Sequence, residues 1–344
     1  MTLQLTNEWD KVFKQSEKVN HKKVSFKNHF GIELAADMYS PKNLDGKLPA
    51  IAVAGPYGAV KEQSSGLYAQ EMAERGFVTI AFDPSYTGES GGEPRYVTSW
   101  DLNVEDFQAA VDFLSNLDNV DPEKISIIGV CGWGGVALQT ACLDTRIKAT
   151  VCSTMYDMPR VARNGYFDAD NSATARQRAK EAANNQRTKD YKNGRMELAG
   201  GVIDPLPEDA PQFVKDYHAY YKTPRGYHTR SLNSNGGWAK TGNISLMNTT
   251  AFTNSHEIKN AVMIVHGEKA HSRYMGEDAF ANMTGFQFET NNAPAPYTGN
   301  APIGLTKVGN KELLIVENAS HCDLYDQKDK IPFDKIEKFI KENI

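Results

Sequence analysis

A cysteine in a glycine-rich turn and a histidine in a later turn are the residues of this chain best suited to covalent chemistry. Cys131 stands within the segment GVCGWGG (129–135), between an apolar strand-like run and a helical run. His321 stands in a turn that directly follows another strand-like run. A thiolate can attack a carbonyl carbon, and a histidine within reach can take the thiol proton. The two residues therefore predict nucleophilic catalysis.

The segments that must position these side chains alternate between strand and helix. The predicted strands are 21–27, 32–39, 50–55, 77–82, 125–130, 147–153, 260–267 and 311–316, and the predicted helices are 64–75, 101–117, 136–143, 277–283 and 331–344. Alternation of this kind predicts an α/β protein, in which a mostly parallel central sheet carries helices on both faces.

Residues 156–259 interrupt the alternation. They contain no clean strand pattern, but they include a highly charged helical stretch (173–192) and a tyrosine-rich stretch (213–227). A bare loop of this length would be unusual in a folded domain. We therefore predict a core formed by residues 1–155 and 260–344, with residues 156–259 as a helical cap or lid insertion.

The composition excludes several classes of function. The net charge is −5 and the chain has no long basic run, so nucleic acid is not expected as a partner. No apolar run is long enough for a signal peptide or a membrane span, so we expect a cytoplasmic protein with no membrane partner. The four cysteines form no C-x-x-C pair, and no metal is expected.

Three segments resemble the α/β-hydrolase superfamily, near its dienelactone-hydrolase-like and X-prolyl-peptidase/cocaine-esterase-like branches. They are residues 121–135 (DPEKISIIGVCGWGG), residues 82–90 (FDPSYTGES), and the pair VHGE (265–268) and ASH (319–321). Together they cover the chain apart from its middle insertion. The resemblance implies the α/β-hydrolase fold and the chain order nucleophile, acid, histidine. Dienelactone hydrolases use a cysteine, so it also implies Cys131 as the nucleophile.

The same resemblance implies an oxyanion hole with two donors. One is the backbone N–H of Gly132, directly after the nucleophile. The other is Tyr57 in the segment GPYG (55–58), through its hydroxyl or its backbone N–H, unless Tyr57 only lines the pocket. Each such donor is typically worth about 3 kcal/mol of transition-state stabilisation. The helix that begins after Cys131 is expected to favour the thiolate further.

Trp133 departs from the family pattern, which has a small residue two places after the nucleophile. The cocaine-esterase-like branch also accepts a large residue there, followed by a glycine, as Gly134 is here. A second registration would put Trp133 at the apex of the turn and would leave no nucleophile. The spacing from Asp121 through the strand favours Cys131 at the apex. We predict that Trp133 lines the pocket.

The usual acid of the family is also missing, because Ala270 stands three residues after the glycine that ends the penultimate strand. Two substitutes stay open: Glu268 in the same turn, which we favour, and Asp157, which follows strand 147–153. Asp157 could instead cap the segment 158–163. His271 is expected to line the site, whereas His266, at a strand end, is expected to pack in the core.

The tyrosine-rich stretch of the insertion has two interpretations. Its members Tyr217, Tyr220, Tyr221 and Tyr227 either wall a pocket for an apolar substrate, with Tyr227 as a pocket residue, or dock the insertion onto the sheet. Docking is the simpler interpretation. The tyrosines therefore do not identify the substrate.

These residues predict a hydrolase that needs no cofactor and acts on a small ester, thioester or lactone through an acyl-cysteine intermediate. Cys131 attacks, His321 takes the thiol proton and later activates water, and the partner is a small-molecule substrate. Two alternatives stay open: a catalytically degenerate binding protein, and a lyase that uses the same pocket without an acyl intermediate. The sequence leaves a homodimer open.

Overall fold

A single mixed sheet forms the centre of the computed structural model, which describes residues 3–43, 46–289 and 299–344. Within these ranges its strands are β1 (Val19–Lys27), β2 (Glu33–Pro41), β3 (Leu48–Ala54), β4 (Val78–Phe82), β5 (Val120–Val130), β6 (Ile147–Ser153), β7 (Ala261–Gly267), β8 (Gly304–Val308) and β9 (Lys311–Val316). The order across the sheet is β1-β2-β4-β3-β5-β6-β7-β9-β8. The six strands from β4 to β9 in this order are parallel, and the strands outside them pair antiparallel.

The central strands are buried on both faces, which explains their continuous apolar runs. Every residue of β4 (VTIAF) and of β7 (AVMIVHG) is buried. Parallel strands covered by helices on both sides characteristically have this composition. The predicted α/β class with a mostly parallel sheet is confirmed, and the fold is that of an α/β-hydrolase.

The helices of the described ranges are α1 (Ser64–Glu74), α2 (Trp100–Ser115), α3 (Gly132–Ala141), α4 (Met158–Asn164), α5 (Ala173–Asn193), α6 (Gln212–Tyr221), α7 (Arg273–Thr284), α8 (Asp323–Asp326) and α9 (Phe333–Asn343). Side chains of α2, α3 and α7 join the core on one face of the sheet, and those of α1 and α9 join the core on the other. Two apolar layers therefore enclose the sheet.

Local signals fix several helix boundaries. The Ser99 hydroxyl accepts from the Leu102 N–H and caps α2, whose first turn carries Asp101. Ser172 caps α5 in the same way, through the Ala175 N–H. α5 ends at Gly194, whose φ of 65° lies in the left-handed region that glycine accepts without strain.

The segment between β6 and β7 contains α4, α5 and α6. α5 is long and polar, and among its side chains only Asp190 is buried. α6 buries Tyr220 and Tyr221, whose rings contact Tyr325 of α8 at centroid distances of 5.0 and 6.2 Å. The segment also joins the core through Leu246, Phe252 and Ile258, which are buried in the same apolar cluster as side chains of α2 and α3. Within the described ranges, no helix has both the length and the apolar character that a bilayer span requires.

Edge strand β8 is absent from the predicted strands, and β5 begins five residues before its predicted start. In β8 the side chains alternate between half-buried and exposed, so the strand lacks the apolar run that marked the central strands. The extra residues of β5 include exposed positions and Pro122. Both differences arise where the sheet meets solvent.

Candidate active site

Cys131 occupies a strained turn between β5 and α3. Its φ of 60° and ψ of −128° lie outside the regions that residues with a side chain ordinarily adopt. Its N–H donates to the Ser153 carbonyl at 2.9 Å, and its carbonyl accepts from the N–H groups of Gly134 and Tyr156 at 2.9 and 3.1 Å. Strain of this kind costs about 1–3 kcal/mol and persists where surrounding contacts enforce it, commonly at functional sites.

Close backbone contacts keep the turn in this conformation. A Cβ on Gly129 would overlap the Trp133 carbonyl, and a Cβ on Gly135 would overlap the Tyr156 carbonyl. The glycines on both sides of Cys131 therefore allow β5, α3 and the segment after β6 to approach one another. The sulfur-bearing residue stands at the apex of the turn.

Trp133 lies inside the core, and the prediction that it lines the pocket is wrong. Its side chain is fully buried and makes edge contacts with Phe82 and Phe107 at 5.6 and 5.2 Å. The helical rotation from Cys131 to Trp133 directs the indole into the apolar layer between the sheet and α2. The large residue at this position therefore anchors α3.

Tyr57 and Gly132 lie next to each other beside Cys131, since a Cβ on Gly132 would stand 2.8 Å from Tyr57 Cβ. Burial raises the pKa of the Cys131 thiol, and hydrogen bonding from the backbone of Gly132 and Tyr57 opposes the shift. The Tyr57 hydroxyl is used elsewhere, since it donates to Thr98 Oγ1 at 2.6 Å while the ring lies tilted against Trp238 with the centroids 4.7 Å apart. Of the two donors considered for Tyr57, the backbone N–H therefore stays the prediction.

A buried ionic cluster holds the loop that carries Tyr57. The Lys61 ammonium lies 2.8 Å from Glu62, 2.7 Å from Asp83 and 2.7 Å from Glu89. The Lys61 N–H also donates to Asp83 Oδ1 at 2.8 Å. The three carboxylates are close enough together to ligate a cation. The lysine already occupies the space between them with a positive charge, so the cluster is an ion-paired anchor.

His321 follows β9 and is buried beside the elbow. Its Nδ1 lies 2.7 Å from Ser272 Oγ and 2.8 Å from Thr154 Oγ1. Its Nε2 lies 2.9 Å from the Tyr325 hydroxyl. The imidazole is thus oriented by three hydroxyl groups.

Neither of the two carboxylates considered as the orienting acid hydrogen-bonds His321. Glu268 Oε2 accepts from the Asn318 N–H at 2.8 Å, and Asp157 Oδ1 accepts from the Arg160 N–H at 2.9 Å as the N-cap of α4. Both carboxylates satisfy backbone donors at the ends of local turns. Across the described residues, the Nδ1 partners of His321 are hydroxyls.

Burial keeps both reacting groups neutral. It lowers the pKa of the His321 imidazole well below its usual range, and neighbouring histidines add to the effect. Burial also raises the pKa of the Cys131 thiol, although hydrogen bonds to the sulfur oppose the shift. The helix N-terminus was expected to favour the thiolate, and desolvation outweighs any such effect on the thiol. The resting pair is a thiol and a neutral imidazole.

Aromatic rings surround the pair on the side of the insertion. His271 is buried, stacks on Phe213 at 4.5 Å and lies 4.8 Å from the His321 ring. Its Nε2 hydrogen-bonds the Tyr156 hydroxyl, which also bonds the Tyr217 hydroxyl at 2.9 Å. Burial lowers the pKa of His271 to about 3. A neutral, largely aromatic wall faces the nucleophile.

The tyrosines of the insertion divide between the two interpretations. The Tyr217 ring lies 5.5 Å from the ring of His271 and 5.5 Å from the ring of His321, so it belongs to the candidate site. Tyr220 and Tyr221 dock α6 against the core. The prediction of Tyr227 as a pocket residue is wrong, because its ring is 43% exposed and its hydroxyl bonds Asn235 on the surface of the insertion.

Sequence reasoning missed three hydroxyl-bearing residues at the site: Thr154, Ser272 and Tyr325. Two signals were available. Thr154 directly follows β6. Tyr325 stands four residues after His321, and this spacing places the His321 and Tyr325 side chains on the same side of a helical turn. Ser272 carried no signal of its own, since Glu268 in the same turn was expected to supply the acid.

Comparison with known proteins gives a family and relatives that span the chain. The sequence model of the X-Pro dipeptidyl-peptidase family (S15 family) matches residues 31–277. An uncharacterized protein of Pseudomonas aeruginosa, PA2218, is 52% identical over 355 residues, covering all of this chain and 86% of the relative. The crystal structure of PA2218 superposes with a TM-score of 0.90 at 51% identity, and the match covers all of both chains.

Two further relatives match at lower identity. The uncharacterized protein YcjY of Escherichia coli K12 is 33% identical over 314 residues, which is 89% of this chain and 93% of the relative. The thiohydrolase aneE of Aspergillus aculeatus is 31% identical over 138 residues, which is 40% of this chain and 42% of that enzyme.

Proposed function

Since the chain belongs to the X-Pro dipeptidyl-peptidase (S15) family and is a hydrolase, we propose that it hydrolyses a small ester, thioester or lactone through an acyl-cysteine intermediate. One observation carries the proposal. Cys131 stands at a turn of positive φ directly before α3, and Tyr57 packs against the next residue, Gly132, which brings the backbone of both residues beside the thiol. An elbow with two converging N–H donors is the arrangement that stabilises a tetrahedral oxyanion.

The reaction begins with transfer of the thiol proton towards His321 while the sulfur attacks the carbonyl carbon. The carbonyl oxygen gains negative charge, which the N–H groups of Gly132 and Tyr57 stabilise. Collapse of this intermediate leaves an acyl-cysteine and expels the alcohol or thiol, which takes the proton from His321. Water then attacks the acyl carbon while His321 takes a proton from it. The C–S bond breaks, the proton passes from His321 to the Cys131 sulfur, and the carboxylic acid departs.

The surroundings favour a thioester or an activated ester with an apolar acyl group. A buried neutral thiol is a weaker nucleophile than a thiolate, so a good leaving group compensates for it. The aromatic wall formed by Tyr156, Phe213 and His271 offers apolar contact to the acyl chain. The thiohydrolase name of the Aspergillus relative agrees with a thioester substrate.

The test is a search for the acyl adduct by intact-protein mass spectrometry after rapid quenching. The panel contains short-chain p-nitrophenyl esters, acyl thioesters, a lactone, and an X-Pro p-nitroanilide because of the family's name. We expect an adduct with at least one ester or thioester, mapped to Cys131 by digestion. Cys142→Ala is the matched control, since Cys142 is partly accessible and lies outside the site.

Three outcomes separate the alternatives. An adduct that is lost in Cys131→Ala and kept in Cys142→Ala supports the acyl-cysteine mechanism. Turnover that survives Cys131→Ala contradicts it and favours a lyase. Binding of panel compounds without turnover or adduct favours a degenerate binding protein, which the absence of a carboxylate on His321 Nδ1 among the described residues also suggests.

The two hydroxyls on His321 Nδ1 are expected to replace the missing acid. Removing both in the double variant Thr154→Val and Ser272→Ala should lower kcat/KM about 100-fold. The imidazole loses its orienting bonds, and loss of the acid from a full triad costs up to about 10⁴-fold. Each single variant should lose less than 10-fold, because the other hydroxyl still bonds Nδ1.

Steady-state kinetics on the best substrate of the panel measures this effect. Glu268→Gln is the matched control, because glutamine can still accept from the Asn318 N–H. It should keep more than half of the activity. A loss of 100-fold in Glu268→Gln would instead assign the acid role to Glu268 in the working enzyme.

A further inference from the structure

A cavity of about 580 Å³ lies beside the candidate active site, between α4 and the start of α5. Part of its lining is apolar and includes Met158 and Tyr166. Met158 packs against the turn of the nucleophile, since a Cβ on Gly132 would stand 3.0 Å from Met158 Cγ. The Tyr166 ring lies 6.1 Å from the ring of His271. One layer of side chains therefore separates this cavity from the turn that holds Cys131.

Three arginines also line this cavity: Arg163 of α4, and Arg176 and Arg178 of α5. Arg163 Nε and Arg176 Nη1 both donate to Asn164 Oδ1, each at 3.4 Å. Arg176 Nη1 also donates to Asn171 Oδ1 at 2.7 Å. Asn164 is buried, so the two guanidinium groups are held close together on one uncharged oxygen.

The positive charge of these arginines is not balanced by the protein. None of the three forms an ion pair with a carboxylate in the described ranges. Arg160 shows the contrast, because it lies one turn before Arg163 on α4 and pairs with both Asp168 and Asp278. Asp170 also lines the cavity, but it forms no ion pair with the three arginines. Like charges held together without a counter-charge repel one another, and a bound anion relieves the repulsion.

We propose that this cavity binds an anionic group of the substrate, so that the ester or thioester hydrolysed at Cys131 carries a carboxylate or a phosphate. The assignment rests on the proposed acyl-cysteine function and narrows its substrate class. Guanidinium groups bind the oxygens of carboxylates and phosphates through paired N–H donors. Met158 and Tyr166 contact the apolar part of the substrate between the reacting carbonyl and the anion. The substrate is therefore an amphipathic molecule with its charge remote from the reacting bond.

The anion can belong to the acyl group or to the leaving group, and two pairs of substrates distinguish these sources. The first pair is the adipoyl and adipamoyl thioesters of N-acetylcysteamine, which differ by a carboxylate or its amide at the far end of the acyl group. The second pair is the butyryl thioesters of phosphopantetheine and pantetheine, which differ by a phosphate on the leaving thiol. The reacting bond is the same within a pair, so the ratio of the two kcat/KM values reports the effect of the charge.

In wild type, we expect the charged member of one pair to have a kcat/KM at least about 10-fold above that of its neutral counterpart, mainly through a lower KM. The double variant Arg163→Gln and Arg176→Gln should reduce this ratio to about 2 or less. Replacing both arginines with lysine keeps the charge and should preserve most of the ratio. Because each ratio is measured within one protein, a partly inactive preparation does not alter it.

Arg187→Gln is the matched control for the glutamine variants. Arg187 lies on the same helix, α5, but it is exposed and does not line the cavity. The variant changes the net charge of α5 by the same step as Arg176→Gln. It should keep the wild-type ratio, whereas a general effect of the charge of α5 would lower the ratio in both.

Equilibrium binding separates this proposal from the proposed function, since it needs no turnover. Isothermal titration calorimetry compares adipate with adipamide, and phosphopantetheine with pantetheine. We expect the charged member of one pair to bind wild type and Arg187→Gln at least about 10-fold more tightly than its neutral counterpart. The double glutamine variant should bind the two members equally.

The outcomes for the two proposals differ. Binding that depends on Arg163 and Arg176, in a protein that forms no acyl adduct, would contradict the hydrolase proposal and leave the anion site standing. If neither the kcat/KM ratio nor the binding depends on these two arginines, the anion site is overturned, whether or not Cys131 is acylated. A preference for the charged member that survives in the double glutamine variant would likewise place the anion elsewhere.

Discussion

Replacing His321 with alanine is expected to lower kcat/KM about 10³-fold for any substrate that acylates Cys131. The buried thiol has a raised pKa and no resting charge, so it depends on a base at the moment of attack. A positioned histidine contributes about 10²- to 10⁴-fold by general base catalysis. The upper part of that range is reached when the nucleophile is otherwise protonated, as it is here.

The pH profile of the wild type supplies a second readout. Burial holds the pKa of His321 well below its usual value, so the imidazole is already the free base above pH 6. We therefore expect kcat/KM to be flat from about pH 6 to pH 8.5, without a limb near the ordinary histidine pKa of about 6.5. A limb at that value would show that the working imidazole is exposed to water.

His256→Ala is the matched control for His321→Ala. The His256 side chain is 62% exposed and lies on the insertion side of β7. The variant should keep wild-type kinetics. Equal losses in the two variants, or activity in His321→Ala within 10-fold of wild type, would remove His321 from the proposed mechanism.

Acid is expected to destabilise the folded protein by about 3 to 4 kcal/mol between pH 7 and pH 5. His266, His271 and His321 are all buried with lowered pKa values, to about 3 for the first two. In the unfolded chain they bind protons as the pH falls below about 6.5, and in the folded state they do not. Each therefore destabilises the fold by about 2 kcal/mol at pH 5.

Asp106 works in the opposite direction. It is buried against Asn28 and Ser85, and burial raises its pKa to about 7. The folded state therefore takes up this proton as the pH falls from 7 to 5, while the unfolded state does so only near pH 4. The uptake stabilises the fold by about 2 kcal/mol and offsets one of the three histidines.

Urea unfolding at pH 7 and pH 5 measures the net loss in the free energy of unfolding. Two variants show how much of this loss comes from a histidine and how much is offset by Asp106. Both ring nitrogens of His266 lack a hydrogen-bond partner among the described residues. His266→Met should therefore reduce the acid loss by about 2 kcal/mol. Asp106→Asn should increase the loss by a similar amount. If wild type and His266→Met lost the same free energy, the histidine would be charged or solvated in the fold.

The sequence predicted the parts of the site that depend on the ends of elements. Cys131 and His321 were predicted as site residues because each follows an apolar strand, and parallel strands end at the same edge of the sheet. Their catalytic roles stay predictions. The Tyr57 and Gly132 donors followed from the family resemblance. The resemblance to the X-prolyl-peptidase branch is confirmed, whereas a dienelactone-hydrolase-like character stays a prediction.

The parts that could not be predicted depend on which side chain turns inward. Glu268 and Ser272 lie in the same turn, and only the three-dimensional path of the chain decides that the serine reaches His321 while the glutamate reaches a backbone N–H. The sequence spacing also did not show which way the Trp133 side chain points. Trp133 follows Cys131 by two places, and only the rotation of the helix directs one side chain into the turn and the other into the core. Buried residues with hydroxyl groups have no sequence pattern that distinguishes those of a functional site from those of the core.

The charged surface of α5 sets a lower local stability for part of the molecule. A helix of this composition gains about 0.2 to 0.5 kcal/mol from each surface ion or amide pair and little from burial, since Asp190 alone is buried within it. Its amide hydrogens should therefore exchange with solvent through fraying and local opening, long before those of β5 and α3. We expect the turn that holds Cys131 to stay closed while this helix opens locally, so that Cys131 keeps its geometry when the outer face of residues 156–259 does not.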